Sequence, residues 1–309
     1  MPMPPDVNAA YDAANTTVVA TIAEGIAKAP LNTISTPLIE EMAIDDKQVN
    51  LPFLLNRGGL QKLRRNIEKK GRVMKQISVF SEEWGDNITV RTEDLTARNT
   101  DLYRMQAKDL VNNIPTWTDL QVAKMLKAGG LAFTEKSFDD KPYFATNHPM
   151  DLAGDAISPY SNLDSGGGGS YWYLFDTRKV KPILRNWKVK PRETQLGPDS
   201  EYAQIHFEVM WNLYVSAGFA LGPWFWGYAS NQVLDESHFE AAQVQFEGIP
   251  SYSQSDGEDQ QMIVMADTIV VGKSNRLAAK KLFQTETVNG GDKNAMFGAV
   301  KVVYLPYLP

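Results

Sequence analysis

The chain has no cysteine among its 309 residues. That excludes disulfides, thiolate metal sites and a cysteine nucleophile, and it fits a reducing interior or a protein that ends in an unpredictable redox setting. Histidine is nearly as scarce, with only His148, His206 and His238, so general acid–base chemistry has little to draw on. No apolar run approaches the roughly 20 residues that cross a bilayer. The opening MPMPPDVNAAYDAANTT lacks a basic stretch followed by an apolar core, and no secretory leader is expected. Excess positive charge is missing too. Lys+Arg number 31 against 37 Asp+Glu, a net charge of −6, so the whole surface is not built for phosphate binding. What remains, 43% hydrophobic and 22% charged, is ordinary for a globular protein long enough to bury a large core.

Catalytic motifs are also wanting. Gly272-Lys273-Ser274 follows a strand pattern and opens a helix, as the end of a phosphate loop would, but the glycine needed five residues earlier is Asp267. The run Gly166 to Gly169 has no GxGxxG spacing and reads as a mobile loop marking a boundary between two halves. Neither GxSxG nor HExxH occurs. Asp139-Asp140, Asp151, Asp155 and Asp164 lack the alternation of a calcium loop. His148 falls in a turn, His206 in a strand pattern, and His238 in the acidic first turn of a helix. None of the three suggests catalysis. The aromatics Trp224, Phe225, Trp226 and Tyr228, with Trp211 upstream, could stack sugars or bases; such clusters more often form core or subunit interface. No catalytic, cofactor-binding or metal-ligating residue is assigned, no cofactor is expected, and the chain is not read as an enzyme.

Periodicity gives an α+β chain with no βαβ repeat. Its longest helical pattern is 98–129, where Tyr103, Ala107, Leu110, Val111, Ile114 and Trp117 share one face. Asn99 or Thr100 can cap it, Gly129-Gly130 stop it, and Pro115 should kink or split it. Residues 1–50 read as an irregular segment that gains order by packing on something else. NITVRTEDL (87–95) reads as a short strand, and strands follow at 171–176, 180–189 and within 201–229, where Ile205, Phe207, Val209 and Trp211 alternate. Asp235 should cap a helix. MIVMADTIVV (262–271) reads as a buried strand, Ser274 as the cap of another helix, and AVKVVYLPYL as the closing strand.

Charge is sharply sorted. Lys62, Arg64, Arg65, Lys69, Lys70, Arg72 and Lys75 crowd one stretch, with Glu82, Glu83, Asp86, Glu93 and Asp94 directly after. The stretch is either a helix broken at Gly71 or a two-stranded excursion turning there. It is either a solvated basic face or an arm that docks on an acidic patch of a neighbouring molecule.

Several of these pieces, in this order, resemble the major head subunit of Mu-like phages and prophages, the gpT family. They are NITVRTEDLTARNTDLY, NIPTWTDLQVAKMLKAGG, FDDKPYFATNHP, YWYLFDTRKVKPILRNWKVKPR, LDESHFEAAQVQFEG and NRLAAKKLF. The resemblance implies the HK97-like capsid fold: an N-terminal arm at 1–50, an extended loop at 51–88, a peripheral domain at 89–169 with the spine helix 98–129, an axial domain at 170–290, and a last strand at 291–309 returning to the body. It implies a major capsid protein that assembles as hexamers and pentamers into an icosahedral shell around double-stranded DNA held without sequence-specific binding. Portal, scaffold/protease and decoration proteins would be its partners, with no membrane involved. It would be a virion component assembled in the host bacterial cytoplasm. On this reading Lys62, Arg64, Arg65, Lys69, Lys70 and Arg72 of the extended loop contact a neighbour, with Glu82, Glu83, Glu93 and Asp94 as acidic acceptors. Two other classes compete: an encapsulin-like nanocompartment shell of the same fold, and a soluble carbohydrate-active enzyme using the tryptophans.

Overall fold

A computed structural model describes residues 5–54, 74–95, 100–150, 159–250, 262, 264–287 and 292–309. Its elements, in chain order, are α1 (Pro5–Asn32), β1 (Ile39–Met42), β2 (Gln48–Leu54), β3 (Met74–Phe80), β4 (Glu82–Arg91), α2 (Thr92–Leu95), α3 (Thr100–Leu126), α4 (Leu131–Thr134) and β5 (Leu163–Asp164). There follow β6 (Trp172–Phe175), β7 (Ile183–Leu196), α5 (Glu201–His206), β8 (Glu208–Leu221), β9 (Gly227–Ser230), α6 (Glu236–Glu247), β10 (Thr268–Val271), α7 (Arg276–Phe283) and β11 (Lys301–Tyr304).

The long amphipathic helix is present as α3 and runs unbroken through Pro115. A proline inside a helix costs about 3 kcal/mol or more. Burial on both sides of it, from Ile114 to Asp119 and on to Leu126, holds the helix together. The Thr116 hydroxyl donates to the Asn112 carbonyl one turn back (3.1 Å). Three donors converge on the buried Asp119 carboxylate, the Ile34 and Ser35 N–H groups and the Ser35 hydroxyl, at 3.1, 2.8 and 2.6 Å. They pin the turn after α1 to the middle of α3.

The N-terminal stretch is not irregular. Residues 5–32 form one helix whose Val7, Tyr11, Ala14, Val18, Ile22 and Ala29 are buried at intervals of three, four and seven. They pack on Tyr103, Ala107, Leu110, Val111 and Ile114 of α3 and on Trp211 of β8. Threonine is a weak helix former, and here Thr16, Thr17 and Thr21 each return their hydroxyl to the carbonyl four residues back. A Cβ on Gly25 would lie 2.1 Å from Val111, so glycine sets the close approach of the two helices.

Two sheets carry the remainder, one of four strands in the order β1-β7-β8-β4 and one of five in the order β11-β10-β6-β9-β5, with β2 and β3 paired as a separate ribbon. The stretch 170–290 contributes to both sheets, because β7 and β8 join the first and β6, β9 and β10 the second. The five-stranded sheet, α6, α7 and the C-terminal half of α3 enclose the larger core.

Several local expectations need correction. Residues 201–206 are helix, not strand: Ser200 caps them by accepting from the Ala203 N–H (3.2 Å), and His206 lies in the last turn. The strand at 87–95 starts earlier, at Glu82, and ends at Arg91. Among the described residues of the 262–271 stretch, strand is confined to Thr268–Val271. Helix α7 is capped by Asn275 rather than Ser274, without a side-chain hydrogen bond, whereas Asp235 does cap α6 through the His238 N–H (2.9 Å). The glycine run is not loose. Gly166, Gly167 and Gly169 donate to the Asp164 carboxylate, the Asn231 side chain and the Asn231 carbonyl at 3.1, 2.9 and 2.9 Å. Gly168 turns with φ +71°, a conformation that favours glycine.

Candidate interaction surface

The basic residues Lys62, Arg64, Arg65, Lys69, Lys70 and Arg72 lie outside the described residues. What carries their segment is described. Strands β2 and β3 pair antiparallel from Gln48–Phe80 to Leu54–Met74, and the turn expected at Gly71 lies outside the described residues. The root of this ribbon is firmly set. Val79 is fully buried against Leu184 and Ala220, and a Cβ on Gly218 would meet the Phe80 carbonyl at 2.2 Å. The buried Asn186 amide accepts from the Ile44 N–H (3.0 Å) and donates to the Ile44 carbonyl (3.0 Å) and the Ser81 hydroxyl (3.4 Å). One side chain thereby fixes the chain entering the ribbon and the chain leaving it.

Glu82, Glu83, Glu93 and Asp94 are all exposed, but they do not form one patch. Strand β4 separates the first pair from the second by about 30 Å at ~3.3 Å per residue. Its pairing with β8 sets Glu82 opposite Ala217 and Arg91 opposite Glu208. Loss of hydration, and after it the nearby Glu83 carboxylate, raise the pKa of the Tyr214 phenol. Glu93 lies 3.5 Å from Arg91 at the surface, a geometry worth little in water. The Asp94 carbonyl accepts from the Tyr103 hydroxyl (3.0 Å). Asp86 accepts from the Asn113 amide of α3 (2.9 Å).

Glu82 stands on the rim of a groove of about 780 Å³ between the strands β3, β4 and β8 and the α3–α4 turn. Phe80, Trp84, Leu131, Phe138, Phe219 and Leu221 give it apolar walls, and Lys124, Glu135 and Lys136 its charged edge.

His148 and the tryptophans Trp172, Trp211 and Trp224 are fully buried parts of the core, whereas His206 is exposed and His238 partly so. His148, with no exposed surface, faces the Asp139 carboxylate with Nδ1 (2.6 Å) and the Asn162 amide oxygen with Nε2 (3.0 Å). It stacks on Trp224 at 4.0 Å with the planes 7° apart. Asn162 completes the knot by donating to the Tyr143, Trp224 and Gly227 carbonyls at 2.8, 3.2 and 3.0 Å. Trp224, Phe225 and Tyr228 are buried in the large core, and Trp226 packs half-buried against it, as core aromatics do. The only hint in the sequence was that Asn147-His148-Pro149 sits among turn residues.

A second buried group, Arg185, was not legible either. Its guanidinium donates to Thr118 (3.0 Å), pairs with Glu41, and lies 4.3 Å over the Trp187 ring. Loss of hydration lowers its pKa, and Glu41 opposes that shift. The Gly272-Lys273-Ser274 turn is filled by the chain's own end. A Cβ on Gly272 would lie 2.1 Å from the Pro309 carbonyl, and the Lys273 and Ser274 N–H groups donate to the Leu308 and Pro309 carbonyls. Among the described residues no three His, Asp or Glu side chains come together as a metal site, and no helix is long and apolar enough to cross a membrane.

The family model described as Mu-like prophage major head subunit gpT matches residues 62–308. The procapsid protein of bacteriophage JBD30 is 19% identical, with a TM-score of 0.76 over 99% of this chain and 100% of that one. The capsid protein of the same phage is 13% identical, with a TM-score of 0.73 over 89% and 90%. At these identities the likeness is one of fold. No curated protein sequence matches.

Proposed function

The chain belongs to the family of Mu-like prophage major head subunits, gpT, and from that premise we propose that it closes into an icosahedral shell around double-stranded DNA. The observation that carries the proposal is the match of the head-subunit family over residues 62–308, supported by the HK97-like fold shared with the JBD30 capsid proteins. The subunit's work lies in its interfaces, and no catalytic step is assigned to it. Hexamers and pentamers of this chain form the shell in the host cytoplasm. A portal and a scaffold or protease take part in its assembly, and decoration proteins bind outside. Residues 1–50 serve as the arm and 51–88 as the extended loop, carried by the β2–β3 ribbon. The basic residues Lys62, Arg64, Arg65, Lys69, Lys70 and Arg72 reach a neighbouring subunit, where Glu82 and Glu83 at one end of β4, or Glu93 and Asp94 at the other, receive them. The net charge of −6 keeps the subunit from adhering to DNA phosphates.

Light scattering and negative-stain microscopy of the purified protein test this reading. Shells or ring-shaped capsomers are expected. A protein that stays monomeric at high concentration would overturn it.

A further inference from the structure

Phe207 breaks two rules at once. Its backbone is left-handed, with φ 57°, a conformation that glycine ordinarily supplies at the end of a helix and that a bulky side chain adopts only under strain. Its ring is 66% exposed, and Ile205 beside it is 62% exposed. The strain is locked in place. The Phe207 N–H donates to the Ala203 carbonyl (2.9 Å), and its own carbonyl accepts from the Thr92 N–H (2.9 Å) and the Thr92 hydroxyl (3.2 Å). Helix α5 and the first residue of α2 together thus hold two large apolar side chains out in water. In a lone subunit glycine and a polar residue would be better on both counts. Strained backbone maintained by its surroundings accompanies sites that do something.

We infer that Ile205 and Phe207 form a knob that enters the groove beside Phe219 and Leu221 of a second copy of this chain. Position argues for the second copy. The knob stands at the start of β8 and the groove at its end, where Gly218 to Leu221 line the wall. At least about 40 Å of strand separates Phe207 from Phe219 and Leu221 at ~3.3 Å per residue, so no subunit fills its own groove. Complementary patches at opposite ends of one molecule make a head-to-tail contact, the kind that closes into rings. Size agrees. The groove's 780 Å³ lies within the roughly 300–1,000 Å³ of sites that enclose whole ligands, ample for two side chains. The contact extends the shell reading and rests on it, adding an apolar anchor to a surface otherwise described by charge.

The absence of cysteine makes the test clean. A Phe207→Cys, Leu221→Cys double variant, assembled and mildly oxidised, should give a ladder of disulfide-linked oligomers on a non-reducing gel, with each single variant giving none. A disulfide needs the two Cα atoms within about 7 Å, so a ladder places knob and groove together. Phe207→Gly supplies the second reading: it removes strain and ring together. The unassembled variant should unfold at a higher temperature than wild type, while the concentration needed for assembly rises at least tenfold. Dimers from Phe207→Cys alone would mean that knob meets knob and would overturn the assignment. So would normal assembly of Phe207→Gly with no ladder, which leaves the shell reading standing. If no variant nor the wild type assembles, the shell reading falls and the knob falls with it.

Discussion

The two sheets of this chain live in opposite surroundings. In the five-stranded sheet every residue of β6, β9 and β10 is buried, under α6, α7 and half of α3. In the four-stranded sheet β7 passes from buried at Ile183 to Trp187 to largely exposed beyond, and β4 leaves Glu82, Glu83, Gly85, Asp86, Asn87, Thr89 and Arg91 in water. The first sheet is finished within one subunit. The second carries the ribbon, the groove, the scattered acids and the Phe207 knob. A subunit that must fold alone and then bind copies of itself divides the two tasks in this way, one region for stability and one for contact.

Substitution should separate the two regions by what it damages. Trp224→Ala in the closed region removes a fully buried ring that stacks on His148. Loss of about 3–5 kcal/mol is expected, read as a lower urea midpoint of the unassembled subunit. Asn162→Ala strips partners from the Tyr143, Trp224 and Gly227 carbonyls and from His148. Unpaired buried groups cost roughly 1–3 kcal/mol each, so a loss of about 3 kcal/mol is expected by the same measurement.

The Asp176 carboxyl gives a smaller, pH-dependent effect. Burial alone would raise its pKa, but donors from the Arg178 guanidinium, the Arg178 N–H and the Met265 N–H outweigh that and hold it below the usual carboxylate range. A depressed pKa in the folded state adds stability that is present above the unfolded value, about 3.9, and fades as pH falls through the lower folded value. Asp176→Asn should therefore lower the melting temperature at pH 7, by a difference that shrinks as pH falls below the ordinary carboxylate value of about 3.9. At the far end of the scale, Glu93→Gln on the open region should leave the melting temperature unchanged, any effect being confined to assembly.

What was legible in the residues follows the same division. The spacing of Tyr103, Ala107, Leu110, Val111 and Ile114 predicted α3 because one helical face meets one core. Asp235 predicted the α6 cap because capping is decided within four residues. The misreadings have physical causes. Ile205, Phe207, Val209 and Trp211 alternate as a strand would, yet the first two are exposed and the second two buried, because a helix end and a left-handed residue intervene. Pro115 looked like a break because local cost is visible in a sequence and the tertiary burial that offsets it is not. The His148–Asp139–Asn162 knot joins residues separated by turns whose course no periodicity reveals. The charge sorting of residues 62–94 was plain, but its division between the two ends of β4 is a property of strand pairing.

The central claim is that the open region exists to bind other copies of this chain, and that its charge does not serve the fold. Reversing Arg64, Arg65 and Lys69 to Glu tests it most directly, with circular dichroism and particle counts by electron microscopy taken on the same preparation. The account predicts an unchanged dichroism spectrum and no particles. Normal particles from that triple variant would contradict it.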